Sequence, residues 1–205
     1  MIAAAISPLL IFRLVLKPNE VFQNLSESHP SAKVVFFKLT VWLIALPPVF
    51  AYFGSLKFGW RLGAAESLFF SQSELAGISI GYFFTLLFGF FSAALVSRWM
   101  SVTYGARHSL GIHFAMITVV GAPLAAGSVI HLYPDVFINI VVLVPTLIWS
   151  MFLLYRGLPV VLRISPERGM LMASALIGYL LVAAVSMLGL TVILWGAGIG
   201  PRVGI

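Results

Sequence analysis

The sequence predicts an all-α membrane protein: a bundle of five transmembrane helices preceded by short amphipathic helices at the membrane surface. Hydrophobic residues make up 61% of the 205 residues and charged residues 9%, and the mean hydropathy is +1.09. Soluble domains average about 45–50% apolar and about 25% charged residues. Five nearly charge-free windows are each long enough to cross a hydrocarbon core about 30 Å thick. These windows are residues 34–54, 74–96, 110–130, 136–155 and 170–195.

The windows fit helices better than the strands of a membrane barrel. Barrel strands are about ten residues long and alternate in polarity, whereas residues 138–144 and 180–185 are apolar at nearly every position. A helix also pairs its own backbone groups inside lipid, which an isolated strand cannot do. We therefore expect a cytoplasmic interfacial segment at residues 1–33 and a five-helix transmembrane domain at residues 34–205.

Polar clusters predict where three of the helices begin. Ser71 and Glu74 have the spacing of a capping box, so the second transmembrane helix is expected to begin there. Asp135 can cap the fourth helix. The run Ser-Pro-Glu at residues 165–167 places a cap, a first-turn proline and an acid ahead of the fifth helix.

The N-terminal segment needs a separate interpretation. Residues 1–16 are apolar like a secretory signal, but they lack a basic leading region and contain Arg13, so we expect no cleavage. Two amphipathic helices at residues 8–16 and 18–25, lying on the cytoplasmic face, fit better. A partner-binding surface is the alternative interpretation. In the second helix the apolar side holds Val21, Phe22 and Leu25, and the water-facing side holds Asn19, Glu20, Gln23 and Asn24.

The distribution of basic residues predicts a cytoplasmic N-terminus and an outside C-terminus. Short loops rich in Lys and Arg stay on the cytoplasmic side, and this orientation places nine of the twelve basic residues inside. The three outside are Lys57, Arg61 and Arg202, and the nine inside are Arg13, Lys17, Lys33, Lys38, Arg98, Arg107, Arg156, Arg163 and Arg168. The net charge of +6 then reflects topology and attraction to anionic headgroups, so no nucleic-acid partner is expected.

The sequence predicts no catalytic residue, no cofactor and no metal site. It has no cysteine, and its six acidic residues all fall in loops or at helix ends, which argues against an ion-coupled pump. Serines at membrane depth, such as Ser128, Ser174 and Ser186, have no recognisable base beside them. The four histidines are spread over both predicted ends of the bundle and cannot share a metal; they are His29, His108, His113 and His131.

Prolines at membrane depth are candidate kink or cavity positions. Each frees a backbone carbonyl about one turn earlier and kinks its helix. They indicate either a polar cavity or hinge, as at transport sites, or merely the ordinary frequency of proline in membrane helices. The prolines are Pro47, Pro48, Pro123 and Pro145, and the polar groups that such a cavity would use are Thr118, Thr146 and Ser150.

Small residues are candidate helix-packing positions. Gly77 and Gly81 lie four residues apart in the second window, and Gly178 lies in the fifth. Glycines at such spacing allow close approach between membrane helices. We expect packing within the chain, with contact between two copies as the alternative.

Several segments resemble the Yip family, and most of all its bacterial, YohC-like inner-membrane branch. They are residues 14–25, 53–60, 121–123 with 133–134, 155–159 and 190–196. The resemblance covers nearly the whole chain, and it implies a five-helix core, an inside N-terminus and the bacterial inner membrane. Eukaryotic relatives act in Golgi and endoplasmic-reticulum trafficking through Rab GTPases and use a long cytosolic N-terminal region. Only about thirty residues precede the first window here, so the resemblance does not imply Rab binding.

Two functions remain open. One is a non-enzymatic membrane scaffold or organiser that binds lipids, other membrane proteins or itself. The alternative is an uncoupled permease or channel-like transporter of a small neutral solute or lipid. A water-accessible cavity at the depth of Pro123 and Pro145 would favour transport, and a closely packed interior would favour the scaffold.

Overall fold

The computed structural model describes residues 10–198 apart from residues 62, 64 and 65, and this part of the chain is helical without strands. The start of the predicted helix at residues 8–16, the first nine residues of the apolar N-terminus and Arg202 lie outside the described residues. The described helices are α1 (Leu10–Leu16), α2 (Pro18–Glu27), α3 (Ala32–Phe58), α4 (Gln72–Thr103), α5 (Leu110–Leu132), α6 (Val136–Leu162) and α7 (Pro166–Gly196).

Five of these helices, α3 to α7, are long and apolar enough to cross a membrane. The predicted all-α fold with five membrane helices is therefore confirmed. Several helices run beyond their apolar windows; α4, for example, has 32 residues and is about 48 Å long. The extensions carry polar residues such as Arg98 and Ser101. A helix can continue past the hydrocarbon because its backbone groups keep their own hydrogen bonds there.

The predicted helix starts are confirmed. The Ser71 hydroxyl accepts from the Glu74 amide, and the Glu74 carboxylate accepts from the Ser71 amide at 2.9 Å, which together form the capping box. The Asp135 carboxylate accepts from the amide of Ile138 at 3.1 Å. The Ser165 hydroxyl accepts from the amide of Arg168 at 3.5 Å, and Pro166 is the first residue of α7. Each contact satisfies an N–H group that a helix start leaves unpaired.

The helix α5 is the centre of the bundle. Residues 111–120 are buried without interruption, and α5 packs against α3, α4 and α6. A helix that is apolar on every side is stable in this central position. By contrast, α7 buries only residues near its start, including Met172 and Leu176, and residues 180–196 are exposed or half-buried.

The bundle has two chemically different ends. The basic end carries α1, α2 and the connections at residues 104–109 and 163–165. The opposite end carries the connections at residues 59–71 and 133–135. At the opposite end the backbones of Trp60 and Leu68 exchange two hydrogen bonds of 2.8 Å, and the Arg61 guanidinium donates to the Tyr133 hydroxyl at 2.9 Å.

The amphipathic helix α2 packs on the bundle. Its predicted apolar side is buried and its predicted polar side is exposed, as the sequence indicates. The neighbour of the apolar side, however, is α6 and not lipid: Phe22 is 0% exposed, and its ring lies 2.5 Å from the position that a Cβ at Gly157 would occupy. The expectation of a helix lying with its apolar side on the membrane is corrected, because Gly157 leaves a space in α6 that an aromatic ring fills.

Candidate functional site

The prolines do not meet around one interior space. Pro47, Pro48 and Pro123 are buried, whereas Pro145 is exposed on the outer surface of α6. The helices α3, α5 and α6 continue through these residues. Pro123 and Pro145 therefore do not line a common cavity.

The polar groups expected beside such a cavity are mostly paired within the helices. The hydroxyl of Thr118 donates to the carbonyl of Phe114 at 2.9 Å and accepts from Thr40 at 2.8 Å, and both threonines are fully buried. Thr146 donates to the carbonyl of Leu143 at 2.9 Å. Ser150 is buried, and its hydroxyl has no hydrogen-bond partner among the described residues. Of these three hydroxyls, those of Thr118 and Thr146 are thus paired, and that of Ser150 is unpaired among the described residues.

A second buried polar pair lies nearer the basic end. The Ser97 hydroxyl lies 2.9 Å from Nδ1 of His113, and both side chains are almost completely buried. The other ring nitrogen of His113 has no partner in the described part of the chain, and the same is true of the Trp149 indole nitrogen. The Ser97–His113 contact could not be predicted from the sequence, because one histidine in an apolar helix does not identify the helix that it faces.

The glycines expected to pack helices together face outward instead. Gly77, Gly81 and Gly178 are exposed, and no atom of another described element lies within 4 Å of an added Cβ at any of them. The expectation of packing within the chain is corrected. A glycine spacing shows that a helix can be approached closely, but it does not show that a neighbour is present.

Other glycines make the close contacts. An added Cβ at Gly111 would lie 1.8 Å from the carbonyl oxygen of Pro30, and one at Gly54 would lie 2.1 Å from the carbonyl oxygen of His131. Gly127 faces Thr146, Gly157 faces Phe22, Gly121 faces Phe90 and Gly169 faces Pro159. These positions are isolated glycines, and sequence analysis missed them because it searched for the paired spacing.

Two arginines fasten α2 to the bundle at the basic end. The guanidinium of Arg156 donates to the side-chain oxygen of Asn19 at 2.7 Å, and that of Arg163 donates to the carbonyl of Ser26 at 3.0 Å. Ser26 lies in the last turn of α2, where unpaired carbonyls attract a cation. Arg163 ends α6 in the left-handed conformation, with φ of 53°. Sequence analysis assigned both arginines to topology alone and missed these contacts.

The surface of the basic end combines positive charge with exposed apolar groups. Its nine basic residues accompany three acidic ones. On α1, Leu14 is buried in the bundle, while Phe12 and Leu16 are 68% and 76% exposed. A charged helix with exposed apolar side chains suits the boundary between headgroups and acyl chains.

The described residues contain no group of three or more histidine, aspartate or glutamate side chains that could hold a metal ion. The histidines are used singly: His108 contacts the carbonyl of Leu162 at 3.0 Å, and His131 contacts the side-chain oxygen of Asn139 at 2.5 Å.

Comparison with known proteins identifies the family. The Yip1 domain matches residues 12–187, most of the chain. The chain belongs to the Yip1 domain family. The resemblance seen in the sequence is confirmed, and the protein is a multi-pass membrane protein of this family.

Two bacterial proteins are similar to this chain along most of their length. The inner membrane protein YohC of Escherichia coli K12 is 26% identical over 188 residues, which cover 92% of this chain and 96% of that protein. The inner membrane protein YohC of Escherichia coli O6:H1, strain CFT073, gives the same values. No solved structure matches the chain.

Proposed function

We propose that this Yip1-family protein is a non-enzymatic scaffold or organiser of the bacterial inner membrane that binds lipids and other membrane proteins. The observation that carries the proposal is the packing around α5, where residues 111–120 are buried in succession and Thr118 is paired with Thr40. A bundle whose central helix is buried in this way binds other molecules at its outer surface and not in its interior.

The basic end supplies the binding surface in this proposal. Arg156 and Arg163 hold α2 against the bundle. The exposed polar side of α2 then faces the cytoplasm, and the exposed apolar residues of α1 enter the headgroup boundary. The orientation with a cytoplasmic N-terminus follows from the concentration of basic residues at this end. The names of the two YohC relatives support placement in the inner membrane.

An uncoupled permease for a small neutral solute or lipid is the second candidate. The observation in its favour is the presence of unpaired buried polar atoms on Ser150, Trp149 and His113 among the described residues. Water could satisfy such groups if the bundle opened. Solute-dependent swelling of proteoliposomes would favour this candidate. If the protein is a scaffold, the proteoliposomes are expected to swell no faster than vesicles without protein.

Crosslinking in native membranes followed by mass spectrometry tests the scaffold. Lys17 and Lys33 are exposed at the basic end, and we expect reproducible crosslinks from them to a membrane protein. Replacing Pro123 and Pro145 together with alanine is expected to leave these crosslinks unchanged, because neither proline reaches the basic surface. Loss of the crosslinks in a double variant that keeps its helical circular-dichroism spectrum would contradict the proposal.

A further inference from the structure

Exposed phenyl rings lie on the connection between α3 and α4, which we call the aromatic loop (residues 59–71). Phe69 within the loop is 68% exposed, and Phe137 in the first turn of α6 is 66% exposed. Both rings lie against the backbone of the loop. The Phe69 ring is 3.1 Å from the position of a Cβ added at Gly59, and the Phe137 ring is 3.8 Å from one added at Gly63. The loop therefore carries two large apolar side chains that the protein itself does not cover.

Backbone hydrogen bonds fix the aromatic loop at the level where α6 begins. The amide of Arg61 donates to the carbonyl of Pro134 at 3.0 Å, and the amide of Val136 donates to the carbonyl of Arg61 at 3.2 Å. Val136 is the first residue of α6, which is long and apolar enough to cross a membrane. The loop consequently lies at the end of an apolar span, where the hydrocarbon core meets the lipid headgroups.

A tryptophan of the loop turns back toward the membrane span. The indole N–H of Trp60 donates to the hydroxyl of Ser55, which is buried about one turn before the end of α3. The Trp60 ring also meets the ring of Phe70, and their centroids are 5.1 Å apart. Tryptophan is enriched at the boundary between membrane and water, because it joins a large apolar ring to one polar group. The direction of Trp60 indicates that the loop faces the bilayer and not the aqueous phase.

The charges of the aromatic loop balance each other. Its charged residues are Arg61 and Glu66, so the loop has no net charge. The guanidinium of Arg61 is already used within the protein, since it donates to the hydroxyls of Ser67 at 3.2 Å and Tyr133 at 2.9 Å. The two exposed phenyl rings carry no polar group. The loop therefore offers apolar contact and does not select a charged headgroup, in contrast to the basic end.

We propose that the aromatic loop is embedded in the leaflet at the opposite end of the bundle, with the rings of Phe69 and Phe137 in the boundary between headgroups and acyl chains. The lipid-facing surface of α6 continues into the loop through Phe137. Beyond that residue α6 exposes Ile138, Ile140 and Val141. The inference goes beyond the proposed function, which assigns binding to the basic end, and it depends only on the membrane-spanning fold.

Spin labels on single introduced cysteines measure the depth of the loop in phosphatidylcholine vesicles. The full chain contains no cysteine, so Phe69→Cys, Phe137→Cys and Glu66→Cys each give one labelling site. At the two phenylalanine positions we expect the label about 5–10 Å into the headgroup and acyl boundary, with more collisions with oxygen than with a water-soluble nickel chelate. Glu66→Cys is the matched control, because a carboxylate stays in water, and the nickel chelate should dominate there. A label at either phenylalanine position with the collision ratio of Glu66→Cys would overturn the proposal.

Lipid composition separates apolar embedding from attraction to anionic lipids. The depth of the label in Phe69→Cys is expected to be the same in phosphatidylcholine vesicles and in vesicles that also contain phosphatidylglycerol, because the loop has no net charge. Raising the salt concentration should also leave the depth unchanged, since salt screens only charge interactions. A label that enters the bilayer only when phosphatidylglycerol is present would overturn the proposal.

Benzoylphenylalanine in place of Phe69 keeps an aromatic side chain and tests what covers it in native membranes. A lipid adduct is expected, and an adduct with another protein or with a second copy of the chain would overturn the proposal. Failure here is distinguishable from failure of the scaffold, because the partner crosslinks from Lys17 and Lys33 arise at the basic end. If those crosslinks persist while the label in Phe69→Cys lies in water, only the placement of the loop is lost.

Discussion

At the scale of single residues, the closest contacts of this bundle depend on glycines that face a specific neighbour. Gly157 is the clearest case, because three atoms of the Phe22 ring lie 2.5–2.7 Å from the position of an added Cβ. Real Cβ atoms do not approach other atoms so closely, so any side chain at this position must displace Phe22. The absence of a side chain at Gly157 of α6 allows α2 to dock there.

Replacing Gly157 with leucine is expected to destabilise the protein. Overpacking a filled core site costs about 1–3 kcal/mol, so the free energy of unfolding in mixed detergent should fall by about that amount. Gly81→Leu is the matched control, because no described element lies within 4 Å of that position and leucine has the higher helix propensity. Equal stability of the Gly157→Leu and Gly81→Leu proteins would contradict the observed docking.

Some residue-scale features could be predicted from the sequence, and others could not. The caps at Ser71, Asp135 and Ser165 were predicted because a capping side chain and the backbone N–H group that donates to it lie within one turn of chain. The outward position of Gly77 and the Ser97–His113 contact were not, because both depend on which helix lies alongside. Spacing along one helix carries no information about its neighbour.

At the scale of secondary-structure elements, α2 is held against the bundle near both of its ends. Phe22 fills the space that a glycine leaves on α6. Arg156 and Arg163 donate hydrogen bonds to α2 near its two ends. The guanidinium of Arg163 meets the C-terminal turn of α2, where it also complements the helix dipole. The position of α2 is consequently set by its contacts with the membrane domain.

Loss of the Arg163 contact is expected to loosen α2. In Arg163→Gln the amides of residues 19–27 should exchange with deuterium about fivefold faster, because a hydrogen bond of this kind contributes about 1 kcal/mol. Arg107→Gln removes an exposed charge from the same end of the bundle and serves as the control. If both variants left the exchange of α2 unchanged, the arginine contact would not be what holds this helix.

The elements themselves were largely predictable, whereas their partners were not. Apolar windows of about 20 residues predicted five spans, since the thickness of the bilayer sets the length of chain that must be apolar. The apolar side of α2 was also predicted correctly. Its neighbour was not, because an amphipathic helix shows the same pattern whether it packs on lipid or on protein.

At the scale of the whole molecule, charge is distributed unequally between the two ends. The basic end carries nine basic residues, whereas Lys57 and Arg61 are the described basic residues of the opposite end. This asymmetry was predicted from the sequence because it needs only the order of spans and loops.

Labelling of single introduced cysteines from each side of the membrane tests the central claim, a five-span bundle with its basic end in the cytoplasm. The chain contains no cysteine, so Gln23→Cys on α2 and Glu66→Cys at the opposite end each give one unique thiol at an exposed position. With a membrane-impermeant maleimide, we expect Glu66→Cys to be labelled in intact spheroplasts and Gln23→Cys only after permeabilisation. Labelling of Gln23→Cys in intact spheroplasts, or protection of both thiols until permeabilisation, would contradict the account.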